Sequence, residues 1–191
     1  QLISEDSTQL LVDLENLIPD IVLDIRYAST NNFTHEIIYK SPKAFVRQPV
    51  ADALVKIQTE LKEQGLGLKI FDAYRPYAAT VRFYEVYPDT NFVAAPWKGS
   101  VHNRGCAVDL TLIDLATGNE LEMPTPFDDF TTKASHSYMD LSESALKNRA
   151  QLHDIMLKHG FTKYVHEWWH YNFKGWGNFQ LMDIAFEAIK N

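Results

Sequence analysis

The stretch Ser100-Val101-His102-Asn103-Arg104-Gly105-Cys106-Ala107-Val108-Asp109 runs from loop into strand. From Gly105 onward apolar residues continue to Leu112, as a buried strand requires. Period two puts Cys106, Val108 and Leu110 on one face and Gly105, Ala107 and Asp109 on the other. A carboxylate in so apolar a strand needs a partner, because burying an isolated charge is costly. Arg104 or another cation would serve, and so would a metal ion. The small residues Gly105 and Ala107 leave room for an ion and a substrate, or simply permit close backbone packing. Cys106 is a soft donor type, but it points with Val108 and Leu110 and reads as a buried, inert thiol.

A second stretch, Glu167-Trp168-Trp169-His170, supplies what the first lacks. Together they offer two imidazoles, a carboxylate ligand and a spare carboxylate. A hydrolytic zinc ion needs three protein ligands, an open position and a base beside it. Glu167 and His170 are three apart, so they share a face on a helix but not on a regular strand. If both reach one ion, the chain bends or bulges near Trp168-Trp169. A rival arrangement uses His166-Glu167-Trp168-Trp169-His170 as a helical H-E-x-x-H, with Glu187 as a third ligand on spacing alone. The aromatic and β-branched run from Tyr164 to Phe173 favours strand over helix, and the rival leaves Asp109 without a role.

Outward from these segments, the clearest helix is 49–64, where Val50, Ala53, Leu54, Ile57 and Leu61 recur at helical spacing between Pro49 and Gly65. Strands are expected at 21–27, 68–71, from Gly105, and over 161–171. Further helices are expected at 77–86, at 142–159 stopped by Gly160, and at 179–190 as an amphipathic closing helix. Residues 28–46, 87–104 and 114–140 read as loops, and a loop as long as the last is usually functional. Residues 1–20 are mixed and read as a peripheral segment. With no repeat and no glycine-rich phosphate fingerprint, the pattern predicts one α+β domain over 1–191, a small, mainly antiparallel sheet flanked by helices.

The chain has 191 residues, 46% of them apolar, the composition of a globular domain. A net charge of −7 argues against a nucleic-acid partner and against an anionic membrane surface, but not against a small zwitterion. No apolar run is long enough for a membrane span. The single cysteine excludes an internal disulfide. Because the first residue is Gln1, a removed segment is expected. If that was an export signal, the protein is periplasmic or at the cell surface; otherwise it is cytoplasmic.

The pattern Ser-x-His-x-x-Gly-x-Ala-x-Asp, followed by Glu-x-Trp-His, resembles the zinc D-alanyl-D-alanine dipeptidases, VanX-like enzymes of the D-Ala-D-Ala metallopeptidase group. The resemblance extends to Asp24-Ile25-Arg26-Tyr27-Ala28-Ser29, Asn32-Phe33-Thr34, Asp72-Ala73-Tyr74-Arg75-Pro76 and Phe127-Asp128. It implies the compact α+β zinc fold of the D,D-peptidase/hedgehog type. It also implies one zinc ion per chain held by His102, Asp109 and His170, with Glu167 as general base. Arg75 is implied as the arginine facing the transition state, Asp128 and Tyr27 as the holders of the substrate's free amine, and Ser100 as a neighbour of its carboxylate. His166 departs from the family pattern.

Read without the resemblance, Arg75 is a structural arginine before a proline, Asp128 a loop aspartate bonding local backbone, and the two tryptophans core. The expected activity is hydrolysis of D-Ala-D-Ala to two D-alanines. A D,D-carboxypeptidase or endolysin on the same scaffold is the enzyme alternative. A catalytically inactive, zinc-stabilised binding module is the alternative of another class. The expected partner is a small dipeptide, and oligomeric state is left open.

Overall fold

Residues 6–189 are described by the computed structural model of the protein. A short strand, β1 (Leu11–Asp13), leads into the one-turn helix α1 (Leu14–Leu17), whose Glu15 N–H is capped by the Asp13 carboxylate at 3.2 Å. Leu14 and Ile18 are buried in the core. Within the segment expected to be peripheral, Leu11–Asp13 pair with a second strand, while 6–10 and 15–17 are exposed. Residues 1–5 lie outside the described residues.

The strand expected at 21–27 shrinks to β2 (Val22–Leu23), followed by a 3-10 turn at Arg26–Ala28. That turn aims the buried Tyr27 ring inward, while its carbonyl accepts from the Ile38 and Tyr39 N–H groups, each at 2.9 Å. Loop then runs to β3 (Phe45–Arg47), which pairs antiparallel with β1. The helix α2 (Gln48–Lys62) follows, with Pro49 in its first turn and Gly65 in the left-handed region just beyond. Val50, Leu54, Ile57 and Leu61 are fully buried on its inner face. Burial of each such side chain stabilises by about 1.5–3 kcal/mol.

The main sheet has the order β2-β4-β5-β7-β6, with β4 at Leu66–Asp72, β5 at Ala107–Asp114, β6 at Phe161–Tyr164 and β7 at Glu167–Phe173. Every pairing is antiparallel except β2 with β4. Two helices complete the frame: α3 (Tyr77–Val86) after β4, and α4 (Glu143–Lys158), capped at 3.0 Å by Ser142 accepting from the Ala145 N–H. The α+β class with a mainly antiparallel sheet and flanking helices agrees with the sequence.

Two further expectations are corrected. The strand at 161–171 is a hairpin, β6 turning into β7 at the exposed Val165-His166. The helix expected at 179–190 forms only a 3-10 turn at Phe186–Ala188; Lys190 lies outside the described residues. This segment is held extended by tertiary hydrogen bonds, from Met182 N–H to the Asn103 carbonyl and from Tyr77 N–H to the Met182 carbonyl. Those bonds compete with the local ladder that a helix would need. Among the described residues no helix is long and apolar enough to cross a membrane.

Candidate metal centre and active site

The site is built where β4, β5 and β7 lie side by side. Register pairs Asp72 with Asp109, and Asp109 with His170, so three polar residues form one row across three strands. Facing partners in an antiparallel pair project from the same side of the sheet. A bulge at Phe71 brings Asp72 into that row: register passes from Ile70↔Leu110 to Asp72↔Asp109.

His102 arrives from outside the sheet, in a 3-10 turn at His102–Arg104. Gly105 closes that turn at φ 70° and lets the chain enter β5. A Cβ at Gly105 would come within 2.8 Å of the Leu11 side chain and 3.3 Å of the Arg47 backbone nitrogen. Glycine is therefore required twice over, by conformation and by close approach.

His102 Nε2 lies 3.2 Å from His170 Nδ1 and 3.3 Å from Asp109 Oδ1, and His170 Nδ1 lies 2.9 Å from that same oxygen. The other nitrogen of each ring is engaged. His102 Nδ1 donates to the Ala73 carbonyl at 2.6 Å, and His170 Nε2 donates to Asn172 Oδ1 at 2.9 Å. Those bonds fix the tautomers and leave two bare imidazole lone pairs converging on a carboxylate oxygen. Three acceptors so placed repel one another unless a cation sits among them. Tetrahedral zinc with ligand bonds of about 2.0–2.1 Å sets its donors about 3.3 Å apart, close to the spacing seen. The donor set, two neutral imidazoles and one carboxylate, fits zinc, and the ring N–H partners are the usual outer support of such ligands.

Glu167 stands at the margin of this triangle, 6% exposed, with Oε2 3.8 Å from His170 Nδ1. The condition set by the sequence is met by the hairpin. Lys163 pairs with Tyr171 and Tyr164 with Glu167, so Trp168, Trp169 and His170 bulge out of the β6 ladder. Glu167 and His170 thereby reach one side despite their odd spacing. Burial, with the negative charges of Asp109 and Asp128, raises the Glu167 carboxyl well above its ordinary range. A divalent cation among the three donors acts the other way.

Arg75 is also buried. Its Nε and Nη2 donate to Asp72 Oδ2 at 2.9 and 2.7 Å, and Nη2 stands 3.8 Å from Asp109 Oδ2. Its guanidinium lies 4.7 Å from the centre of the Phe83 ring. Arg104, the competing arginine, turns away: it stacks over Trp176 at 5.2 Å and donates to the Phe179 carbonyl.

Tyr27 Oη donates to the Asp128 carboxylate, 3.0 Å from each oxygen. Asp128 adopts the left-handed φ of 62°, which turns its carboxylate inward. Burial, reinforced by Asp109, pushes its carboxyl up to about 8. Ser100 is 8% exposed; its hydroxyl oxygen accepts the His102 N–H at 3.2 Å, leaving its own hydrogen available. All these groups line one cavity of about 350 Å³. Trp169 walls it, whereas Trp168 is core, its indole N–H donating to Thr125 Oγ1 at 3.0 Å.

All eight residues singled out by the sequence therefore meet in one cavity: His102, Asp109, His170, Glu167, Arg75, Asp128, Tyr27 and Ser100. The rival arrangement is not assembled. His166 is exposed in the hairpin turn, and Glu187 is exposed beside a different groove, along with Ile37 and Arg82. Cys106 is fully buried, and burial pushes its thiol up to about 12. Sequence reasoning missed two supporting residues. Asp72 holds Arg75 and also accepts the Tyr39 hydroxyl at 2.9 Å, and Asn172 orients His170. The signal for Asp72 was available, a carboxylate ending an apolar strand three residues before an arginine.

Residues 7–188 match the Peptidase_M15 family, described as D-ala-D-ala dipeptidase. The D-alanyl-D-alanine dipeptidase of Escherichia coli (strain K12) is 34% identical, over 96% of this chain and 94% of its own length. That of Enterococcus faecium is 31% identical, over 83% of this chain and 88% of its own. Among solved structures, the LdcB LD-carboxypeptidase superimposes with a TM-score of 0.48 at 21% identity, covering 94% of this chain and 78% of that one. On the extent of the sequence match, this chain belongs to the D-ala-D-ala dipeptidase family of metallopeptidases.

Proposed function

We propose that this protein hydrolyses D-Ala-D-Ala to two D-alanines, with one zinc ion held by His102, Asp109 and His170 and with Glu167 as general base. The observation that carries the reading is the convergence of three bare acceptor atoms within 3.3 Å of one another, with the buried Glu167 carboxylate 3.8 Å from one of them. Zinc, when bound, acidifies a water molecule and polarises a peptide carbonyl.

The residues divide the remaining work. Glu167 accepts the proton of the attacking water and delivers it to the departing amine nitrogen, so the acid regenerates its base form each cycle. Arg75 offers its free N–H groups where negative charge develops on the former carbonyl oxygen. Its clamp by Asp72 keeps it there without reorganisation during the reaction. Tyr27 and Asp128 receive the substrate's ammonium group, and an ammonium there favours the ionised form of a carboxyl that burial and the nearby Asp109 push up. Ser100 directs a hydroxyl hydrogen toward the substrate's carboxylate.

Asp128 and Tyr27 close the cavity that also holds the donor triangle, which supports a dipeptidase over a D,D-carboxypeptidase or endolysin. A capture point for a free amine that near the scissile bond excludes a longer chain. The presence of both Glu167 and Arg75 argues against an inactive binding module. The test is zinc-loaded protein with D-Ala-D-Ala, its N-acetylated form, and the L,L-, L,D- and D,L-dipeptides, with metal content measured in parallel. Cleavage of the free dipeptide with no turnover of the acetylated one is expected. Equal turnover of the two rejects the dipeptidase and favours a carboxypeptidase.

A further inference from the structure

We infer that Lys98 is the cation that recognises the carboxylate of the substrate, and so sets the enzyme's preference for a free C-terminus. The inference rests on the dipeptidase reading and deepens it.

A dipeptide zwitterion carries one charge at each end, and two extended residues span roughly 7 Å. The amine end has a carboxylate partner in Asp128. The cavity must offer its opposite for the other end. Two lining side chains carry a permanent positive charge, Arg75 and Lys98. Arg75 is already bound to Asp72 through two N–H groups and stands near Asp109. Lys98, exposed at the cavity, forms no ion pair among the described residues. It lies two residues before Ser100, which lines the same cavity.

The backbone around Lys98 is braced on both sides. Its own N–H donates to the Ala95 carbonyl at 2.9 Å. The Pro96 carbonyl accepts the Tyr77 hydroxyl at 3.1 Å, and Trp97 packs edge-on against Tyr84. On the other side Gly99 takes a left-handed φ of 71° against Leu181, where a Cβ would come within 2.8 Å of that side chain. The Ser100 N–H then donates to the fully buried Asn103 at 2.7 Å. The same bracing fixes the loop that delivers Ser100 and His102, so the exposed Lys98 side chain leaves a backbone held in place at the cavity. A flexible ammonium on a fixed backbone can reach a carboxylate that arrives with the substrate.

The test compares wild type with Lys98→Met and Lys98→Arg on D-Ala-D-Ala and on D-alanyl-D-alaninamide, which lacks the terminal charge. Affinity for the amide is read as KM or as an inhibition constant. Thermal melting and zinc content, expected to be unchanged, exclude misfolding. For Lys98→Met we expect KM for the free acid to rise about tenfold with kcat within about twofold, the pattern of lost uniform binding. The amide should be unaffected, and Lys98→Arg should recover most of the loss. An unchanged KM for the acid, or an equal rise for the amide, overturns the assignment while leaving the dipeptidase intact. A wild type that cleaves no dipeptide overturns both.

Discussion

Asp109 on β5 and His170 on β7 are register partners, and their side chains meet at 2.9 Å between Oδ1 and Nδ1. Two of the three donors are thus written into strand pairing. Only His102 must be delivered by a turn, and that turn depends on Gly105. A slip of one residue in the β5–β7 register would send Asp109 and His170 to opposite faces.

Because sheet pairing fixes those donors, removing one should abolish the site rather than rearrange it. Asp109→Ala should lose zinc, measured by elemental analysis after dialysis against trace chelator. His166→Ala should retain it, since His166 lies in the exposed turn.

Glu167 Oε2 lies 3.8 Å from His170 Nδ1, outside the donor triangle of His102, Asp109 and His170. Glu167→Ala should keep zinc and lose about 100-fold or more in kcat, the usual magnitude for a general base. Loss of zinc in this variant would make Glu167 a ligand instead.

Asp72 is a positioning residue for Arg75. In Asp72→Ala the buried guanidinium loses its main partner, and breaking a buried pair from one side costs about 3–5 kcal/mol. Denaturant unfolding should show that loss. Asp72→Asn, which keeps the shape and one acceptor, should lower kcat more than it raises KM, with zinc retained.

Stability should fall with acid through His136. Its Nε2 is buried without a hydrogen-bond partner, and burial, then Lys163, holds the imidazole down at about 3. The unfolded chain takes up a proton near pH 6.5 and the folded one does not. Below about pH 6.5 the unfolded state therefore binds more protons, and stability declines until the folded group titrates near 3. His136→Phe should flatten the slope of unfolding free energy between pH 6.5 and 4; an unaltered slope contradicts the assignment.

Much of this was legible in the chain. The helix at α2 declares itself by spacing and by its flanking Pro49 and Gly65. Asp109 stands out as a carboxylate in an apolar strand that needs a partner, and the family resemblance supplies the rest of the donor set. The failures have physical causes. The turn at Val165-His166 contains neither glycine nor proline, so the hairpin reads as one strand. The closing segment has helical spacing but is held extended by bonds to Asn103 and Tyr77. Asp72 and Asn172 act through other side chains, and only folding shows which ones. Lys98 is one lysine among many until its neighbours are known.

Zinc-edge anomalous diffraction from crystals of the zinc-loaded protein tests the site most directly. One peak per chain is predicted, about 2.0–2.2 Å from His102 Nε2, Asp109 Oδ1 and His170 Nδ1, with Glu167 beside it and uncoordinated. A peak bound by His166, or none within reach of Asp109, would contradict it.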